Sequence, residues 1–373
     1  MSSDSHPKKL VVHVADIPIS ESTGMGRVLL HWKQAFERKG YTFIHLGPEV
    51  APSLPHRGMF RALFPFFAYR AYKKLNQKAD IFLVHEAASL PFLGRSIPCV
   101  IFSHGLDRRN WMLSRERKEK IRFISKYLYP LWRLSFCDRG IKKGDFLLLI
   151  NQDDLLFVKS YYKREDLAWF VFRNGISKDI QMQSKVPSKR KTVLAIGSWI
   201  PRKGYKTLIE AATILSQERH DICYLVAGTG ADEATVRSAW PMHLQDSLEV
   251  VPKFAPSAES HLFAQADIFV IPSTFEGQPL ALLQAMAAGL TVIASNNSGQ
   301  KDVIEHEKNG LLFEAGNSAE LAKCIKQVVE DEAFSKALGE QAKQSMNARD
   351  WESVSDEVVK KIEEFLNSKP TSD

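Results

Sequence analysis

Ile268-Phe269-Val270-Ile271-Pro272-Ser273-Thr274-Phe275-Glu276-Gly277-Gln278-Pro279-Leu280-Ala281-Leu282-Leu283-Gln284-Ala285-Met286-Ala287-Ala288-Gly289 is the stretch from which the fold is read. Ile268 to Ile271 is short, apolar and partly β-branched, and Pro272-Ser273 stops it, as expected of a parallel strand covered on both faces. Pro279 suits the first turn of a helix and Gly289 its end. The strand therefore delivers a carboxylate, Glu276, into a loop at a helix start, where the first N–H groups lack partners and the dipole is positive. Two readings stand on these residues: an anion site with Glu276 beside it, or an ordinary strand-to-helix connection with a solvated glutamate.

The rest of the chain bears on that choice. A length of 373 residues points to two domains, and 45% hydrophobic with 25% charged residues describes a soluble globular protein. Met1 to Lys9 is polar and the apolar run Leu10 to Val14 is too short for a signal peptide or a span, so a cytoplasmic location is expected. Cys99, Cys137, Cys223 and Cys324 lie far apart and form no C-x-x-C pair, which suggests buried thiols, neither a zinc site nor a disulfide framework. The net charge of +7 is uneven: residues 1–190 carry 33 Lys+Arg against 17 Asp+Glu, a balance of +16, and residues 191–373 carry 17 against 26, a balance of −9. Such asymmetry suggests that the first half meets an anionic partner.

In order, Lys9 to Val14 reads as a strand, Ser20 to Gly26 as a glycine-containing loop, Arg27 to Lys39 as a helix and Thr42 to Leu46 as a second strand. This is a βαβ unit with a glycine loop where doubly wound sheets place ligands. Arg57 to Lys78 and Arg115 to Phe136 alternate basic residues with large apolar ones: Met59, Phe60, Leu63, Phe64, Phe66, Phe67, Tyr69 and Tyr72 in the first, Ile121, Phe123, Ile124, Tyr127, Leu128, Leu131 and Trp132 in the second. Either these helices lie in a membrane interface beside anionic lipids, or their aromatic faces are core and their charges solvated. No recognisable nucleic-acid module accompanies the charge, so nucleic acid is not expected as a partner.

Ile81 to Val84, Val100 to Phe102, Phe146 to Ile150 and Phe170 to Phe172 complete the strands of the first half. His104 follows Val100 to Phe102 directly, either as a structural histidine or as a functional one at a strand's carboxyl end. Ser177 to Lys191 is polar, contains Pro187 and Ser188, and marks the linker. Beyond it, strands at Thr192 to Ile196, Ile222 to Val226, Leu248 to Val251, Ile268 to Ile271 and Thr291 to Ala294 alternate with helices, a second doubly wound domain.

At this point the sequence resembles the retaining GT-B glycosyltransferases, in particular the family 4 group that uses nucleotide sugars, over nearly the whole chain. The most specific match is P-S-T-F-E-G-Q-P-L-A-L-L-Q-A-M-A-A-G-L-T-V-I-A-S, followed by S-G-Q-K-D-V-I-E-H-E-K-N-G-L-L-F and a helix from Ser318. G-S-W-I-P-R-K-G, the A-G-T-G turn, F-R-N-G-I, S-H-G and the glycine loop at Gly24 support it. The resemblance implies an α/β GT-B fold, two Rossmann-like doubly wound domains facing across a cleft. Its expected boundaries are an acceptor-binding domain at 1–176, a linker at 177–191, a nucleotide-sugar-binding domain at 192–349, and a C-terminal helix at 350–373 returning to the first domain.

It also implies chemistry: a retaining, metal-independent hexosyltransferase with no cofactor beyond its nucleotide-diphosphate sugar, and a lipid-linked or cell-envelope glycan as acceptor. The leaving diphosphate gains negative charge, so Arg202 and Lys203, which match the family's phosphate-binding pair, lower the barrier. Glu276 matches the family's first motif glutamate, at the donor sugar, and His104 the first-domain histidine near the reacting carbon. Gly24, Gly26, Gly197, Ser198, Gly277, Gln278, Pro279, Leu280 and Gln284 are expected to bind the donor. One departure stands out: the second motif glutamate, which commonly holds the ribose, is Gln284 here, and Asp302 stands where a glutamate is more usual. A hydrogen bond involving a charged group contributes roughly 1.5–3 kcal/mol against about 1 for a neutral one, so Gln284 is expected to weaken nucleotide binding without abolishing it. The expected protein is thus a cytoplasmic glycosyltransferase, peripheral on an anionic membrane through its basic half; the alternative is a non-catalytic nucleotide-sugar-binding or scaffold protein of a glycan-assembly complex.

Overall fold

The computed structural model describes residues 8–55, 59–116, 129–165, 168–182, 190–218 and 221–368. The chain forms two compact units, Met1–Arg173 with Glu352–Asp373, and Asn174–Trp351.

In the first unit, β1 (Leu10–Val14), β2 (Thr42–Leu46), β3 (Ile81–His85), β4 (Cys99–Phe102), β5 (Phe146–Leu149) and β6 (Trp169–Val171) form a parallel sheet in the order β2-β1-β3-β4-β5-β6. The residues of β1, β4 and β5 are buried throughout, the continuous apolar signature of strands covered on both faces. Chain order reverses between β1 and β3, the switch point of this sheet. The second unit repeats the plan with β7 (Lys191–Ile196), β8 (Ile222–Ala227), β9 (Leu248–Val251), β10 (Ile268–Ile271), β11 (Thr291–Ser295) and β12 (Leu311–Phe313), in the order β12-β11-β10-β7-β8-β9. Its switch point lies between β7 and β10, where Ile268 pairs with Val193 and Phe269 with Leu194.

Several boundaries differ from the sequence reading. The helix expected from Arg27 runs from Gly24 to Arg38, because Thr23 caps it by accepting from the Gly26 amide, so both loop glycines fall inside its first turn. The strand Leu311–Phe313 was not expected; three residues are too few to show a period. The aromatic stretch after Arg57 divides into a 3-10 turn, Met59–Leu63, and a helix, Phe64–Lys74, where Pro65 fits the first turn. Its aromatic residues split as well, with Phe64 and Tyr72 buried and Phe66 and Phe67 exposed. Of Arg115 to Phe136, residues 117–128, including Ile121, Phe123, Ile124, Tyr127 and Leu128, lie outside the described residues. The flanks are a helix, Asp107–Glu116, and a π-helical turn, Pro130–Leu134. Pro187 and Ser188 of the linker also lie outside them. The helix Trp351–Ser368 contributes from Glu352 onward to the first unit, where Asp356 pairs with Arg38 at 2.6 Å, Glu363 accepts from Tyr41 Oη at 3.0 Å, and Phe365 stacks on Phe146. The four cysteines are free.

Four imidazoles are built into the first unit. His13 from β1 bonds His45 from β2 at 2.8 Å between their Nδ1 atoms and stacks on Phe43 and Phe102; His85 ends β3 and His104 follows β4. Burial pulls the pKa of each below its ordinary value, His85 to about 4 and His104 to about 3. Burial works oppositely on the carboxyls Glu86 and Asp154, raising Asp154 to about 6. An imidazole that protonates only in the unfolded chain favours unfolding by up to about 1.4 kcal/mol per pH unit below about pH 6.5, so its stabilising effect is complete above that value and lost on acidification. Glu86 and Asp154 oppose this, but His31, which burial also lowers, and Glu276, held below its ordinary range, act with the four. The thermal unfolding midpoint is therefore expected to be several degrees lower at about pH 5 than at about pH 7.5; an equal or higher midpoint in acid would show that the raised carboxyls outweigh the lowered imidazoles.

Candidate active site on the second unit

Because β7 and β10 are neighbours, their carboxyl-end loops lie side by side although 73 residues separate Lys203 from Glu276. The loop after β7 ends in a 3-10 turn, Pro201–Lys203, closed by Gly204 in the left-handed conformation, φ 71°. A Cβ at Gly204 would stand 1.9 Å from the Pro272 carbonyl oxygen, so only glycine lets this loop rest on the end of β10. Thr274 then fixes the two together, its amide donating to the Arg202 carbonyl at 2.8 Å. The guanidinium of Arg202 in return donates to the carbonyl of Phe275.

This scaffold brings three of the expected residues together. Lys203 Nζ lies 2.6 Å from Glu276 Oε1, and Arg202 Nη1 lies 3.2 Å from Glu276 Oε2. Glu276 is 7% exposed, and burial by itself raises its carboxyl; the charges of Lys203 and then Arg202 outweigh burial and hold it below the ordinary carboxylate range. The result is a carboxylate kept ionised beside two cations, with the Lys203 and Arg202 side chains still partly open to solvent. Gly197 belongs to the same arrangement: a Cβ there would come within 3.3 Å of the Lys203 stem. Ser198 beside it is exposed. On the other side, β11 supplies a backstop. Ser295 Oγ, Asn297 Nδ2 at 2.9 Å and Gln300 Nε2 at 3.3 Å all donate to the Ser273 carbonyl, fixing the chain three residues before Glu276.

The helix Leu280–Ala287 follows, with Pro279 at its N-cap and no side-chain cap hydrogen bond there, so the positive end of its dipole stands behind the Glu276 loop. Gly277 is half-buried before it, and its carbonyl is approached so closely by Gly299 that a Cβ there would lie 1.6 Å away. Gln278 and Gln284 spend their carboxamides on protein partners within the unit. Gln278 Oε1 accepts from the Asn174 amide at 2.7 Å and from Arg349 at 2.8 Å, and its carbonyl accepts from Asn174 Nδ2 at 2.9 Å. Gln284 is fully buried, its carboxamide accepting from the Ser177 amide at 3.2 Å and donating to Ser177 Oγ at 3.3 Å. Both side chains fasten segments of this unit to the loop and helix. Sequence reasoning missed Arg349 and gave Asn174 only as part of F-R-N-G-I; no local pattern marks either as a partner of Gln278.

His104, Gly24 and Gly26 belong to the first unit. His104 packs among Trp32, Phe102 and Phe172, stays neutral because burial lowers it to about 3, and its enclosed Nε2 has no partner among the described residues. A buried imidazole nitrogen without a bond partner at a strand's carboxyl end is costly unless a ligand meets it. Gly26 donates its amide to Thr23 at 3.1 Å, so that amide serves the helix cap and is not presented to an anion.

Residues 177–345 match the family described as glycosyl transferases group 1. The chain is 28% identical over 266 residues to the putative colanic acid biosynthesis glycosyltransferase WcaL of Escherichia coli, covering 66% of this chain and 60% of that one. It is 34% identical over 149 residues to the amylovoran biosynthesis glycosyltransferase AmsK of Erwinia amylovora, covering 38% of this chain and 36% of the relative. The chain thus spans only part of the length of these curated relatives. Among solved structures, sucrose-phosphate synthase from Thermosynechococcus elongatus superposes with a TM-score of 0.79 at 17% identity, over 97% of this chain and 100% of that one. The architecture is the α/β GT-B fold.

Gly204 offers a direct test of the scaffold. Gly204→Ala adds left-handed strain and a backbone collision, so denaturant unfolding should show a loss of about 2 kcal/mol or more. Gly230, at φ 66°, has nothing within 4 Å of an added Cβ, so Gly230→Ala should cost only the strain, roughly 1–2 kcal/mol. Equal costs at the two positions would show that the Arg202 loop is not pinned on β10.

Proposed function

Starting from a chain whose residues 177–345 belong to the glycosyl transferases group 1 family, we propose a retaining transferase that moves a hexose from a nucleotide-diphosphate sugar to a lipid-linked or cell-envelope glycan acceptor. The observation that carries this reading is the buried, ionised Glu276 held between Lys203 and Arg202 at the β7/β10 switch point. The names of the two relatives, which refer to colanic acid and amylovoran biosynthesis, support the envelope-glycan class.

In this reading the diphosphate settles against Lys203, Arg202 and the uncapped start of Leu280–Ala287. Charge growing on the leaving group is met by groups already in place, which is where electrostatic stabilisation acts on a rate. In this reading the two cations and the helix start supply the positive charge that the leaving diphosphate needs. Glu276, freed from part of its pairing as the phosphates take over the cations, faces the sugar and offsets positive charge at the anomeric carbon. His104 of the first unit, neutral and with an enclosed Nε2 that has no partner among the described residues, is in this reading a group able to meet an acceptor hydroxyl. A protein that only binds nucleotide sugars has little use for Glu276, because a fixed carboxylate beside Lys203 repels the incoming diphosphate; its presence favours catalysis over the scaffold alternative.

The basic half supports a second element of the reading, attachment to an anionic membrane surface. Phe60, Leu63, Phe66, Phe67 and Leu131 are exposed in the first unit, and Arg70, Lys73 and Lys74 are exposed on the helix that carries Phe66 and Phe67. Apolar residues beside cations suit an interface of anionic lipid. No helix among the described residues is long and apolar enough to cross a membrane.

Two experiments test this. Lys203→Ala removes a preorganised donor, so nucleotide-diphosphate release from the donor should fall about 10²–10³-fold. Glu276→Gln should also lose turnover, while binding free nucleoside diphosphate at least as tightly as wild type, since a competing charge is gone. Unchanged turnover in Glu276→Gln would remove the residue from the chemistry, and turnover abolished by EDTA would remove the metal-independent mechanism. Sedimentation with vesicles should require anionic lipid and weaken with salt; absence of binding at low salt would eliminate the membrane element.

A further inference from the structure

Outside the donor site, one group of metal-ligating side chains comes together in the first unit. Glu86 opens the 3-10 turn after β3, Asp107 opens the helix Asp107–Glu116, and Cys137 lies in the helix Ser135–Lys143. One donor atom from each, two carboxylate oxygens and the Sγ, lie within 4.8 Å of one another. Successive members of the set stand 21 and 30 residues apart in the chain, so no short ligand spacing announces it in the sequence.

Protein partners account for only part of these side chains. Glu86 is 1% exposed; its Oε1 accepts from Ser103 Oγ at 3.1 Å and from the Asp107 amide at 3.0 Å, while its enclosed Oε2 has no partner among the described residues. A proton on Glu86 does not satisfy Oε2, because the O–H would then need an acceptor there, and none stands among the described residues. Cys137 is fully buried, and its thiol points at Asp107 Oδ2, 3.6 Å away. Burial, then Glu86 and Asp107, push this thiol up; burial, then Asp107, push up the Glu86 carboxyl. Both groups thus sit where their charged forms want a counter-charge, and a divalent cation among the three supplies it and meets Oε2.

The donor set selects the cation. Mg²⁺ and Ca²⁺ take oxygen ligands, whereas Zn²⁺ accepts a thiolate at about 2.3 Å and carboxylates at about 2.0–2.2 Å. Ligand atoms around a tetrahedral zinc stand roughly 3.5 Å apart; Sγ to Oδ2 is already 3.6 Å, and the 4.8 Å limit for the rest leaves about 1 Å of side-chain adjustment. Arg133 donates from Nε to Asp107 Oδ2 at 3.2 Å and Tyr129 from Oη at 3.4 Å, the outer hydrogen bonds that commonly orient a ligating carboxylate, whose lone pairs suffice for these and for an ion. A divalent ion and Arg133 together balance the thiolate and two carboxylates. The Asp107 and Arg133 side chains are 23% and 32% exposed, which gives an ion a way in.

We propose that Glu86, Asp107 and Cys137 bind a zinc ion, with water completing four-coordination, and that the ion ties the turn after β3 to the two helices. Protons displaced from the thiol and from Glu86 pass to solvent as the S–Zn and O–Zn bonds form. The ion has no part in the transfer chemistry, and the proposal does not rest on the transferase reading.

The test is a titration of Co²⁺, a zinc substitute whose bond to a thiolate absorbs in the near ultraviolet, into the full chain after treatment with a chelator. Wild type should develop the thiolate-to-cobalt band and saturate at a single equivalent; Zn²⁺ should abolish the band, and a large excess of Mg²⁺ should not. Cys223→Ala should keep it, which sets aside the half-buried Cys223 as its source. Cys137→Ser should remove it, and Cys137→Ala takes its place if the serine variant does not fold. Glu86→Gln should weaken cobalt binding by at least the roughly tenfold that loss of an outer hydrogen-bond partner costs a metal site. The proposal is overturned by a wild type that shows no band, by a band that survives the loss of the Cys137 thiol or disappears in Cys223→Ala, by displacement with Mg²⁺, or by unchanged affinity in Glu86→Gln. Binding is read apart from turnover, so none of these outcomes depends on whether the chain transfers a sugar.

Discussion

A carboxylate withdrawn from water remains ionised only when positive charge stands beside it, and much of the second unit serves that condition at Glu276. Lys203 and Arg202 come from a loop that reaches Glu276 because β7 and β10 are adjacent at the switch point. The loop holds its position because Gly204 tolerates the left-handed conformation and the contact with Pro272. Breaking a buried ion pair by deleting one partner typically costs about 3–5 kcal/mol, more than most surface interactions contribute, so Glu276, its cations and the glycine beneath them act as one unit.

Strand positions were legible in the sequence because both sheets are parallel and covered on two faces, which turns each central strand into a short apolar run between turn residues. Glu276, Lys203 and Arg202 were named through the resemblance, and the structure brings their charged groups together. What could not be read is which partner a polar side chain chooses. Gln278 and Gln284 look like ligand contacts in the linear sequence, yet the first bonds Asn174 and Arg349 and the second Ser177, pairings separated by 71 to 107 residues. Gly26 looks like a free loop amide until Thr23 is seen to cap the helix with it. Three-residue elements such as Leu311–Phe313 were illegible for a simpler reason, since pairing with β11 and not local pattern makes them strands.

The two sheets use their switch points differently. In the second unit the crevice carries paired opposite charges and an uncapped helix start, a setting for phosphates. In the first unit the corresponding crevice pairs Asp16 with Arg61 beside Phe64 and Phe136, and the neighbouring strand ends hold neutral imidazoles.

The division of the chain also has a temporal side. The second unit is contiguous from Asn174 to Trp351, whereas the first is interrupted and finishes only with the helix whose Asp356, Glu357, Glu363 and Phe365 meet Arg38, Arg173, Tyr41 and Phe146. At about 5–20 residues per second, a ribosome that has made β1 to β6 needs roughly ten to forty further seconds to reach that helix. The unit begun first is therefore completed last, and during synthesis Phe146 and Tyr41 wait uncovered while the second unit has all of its own sequence in hand.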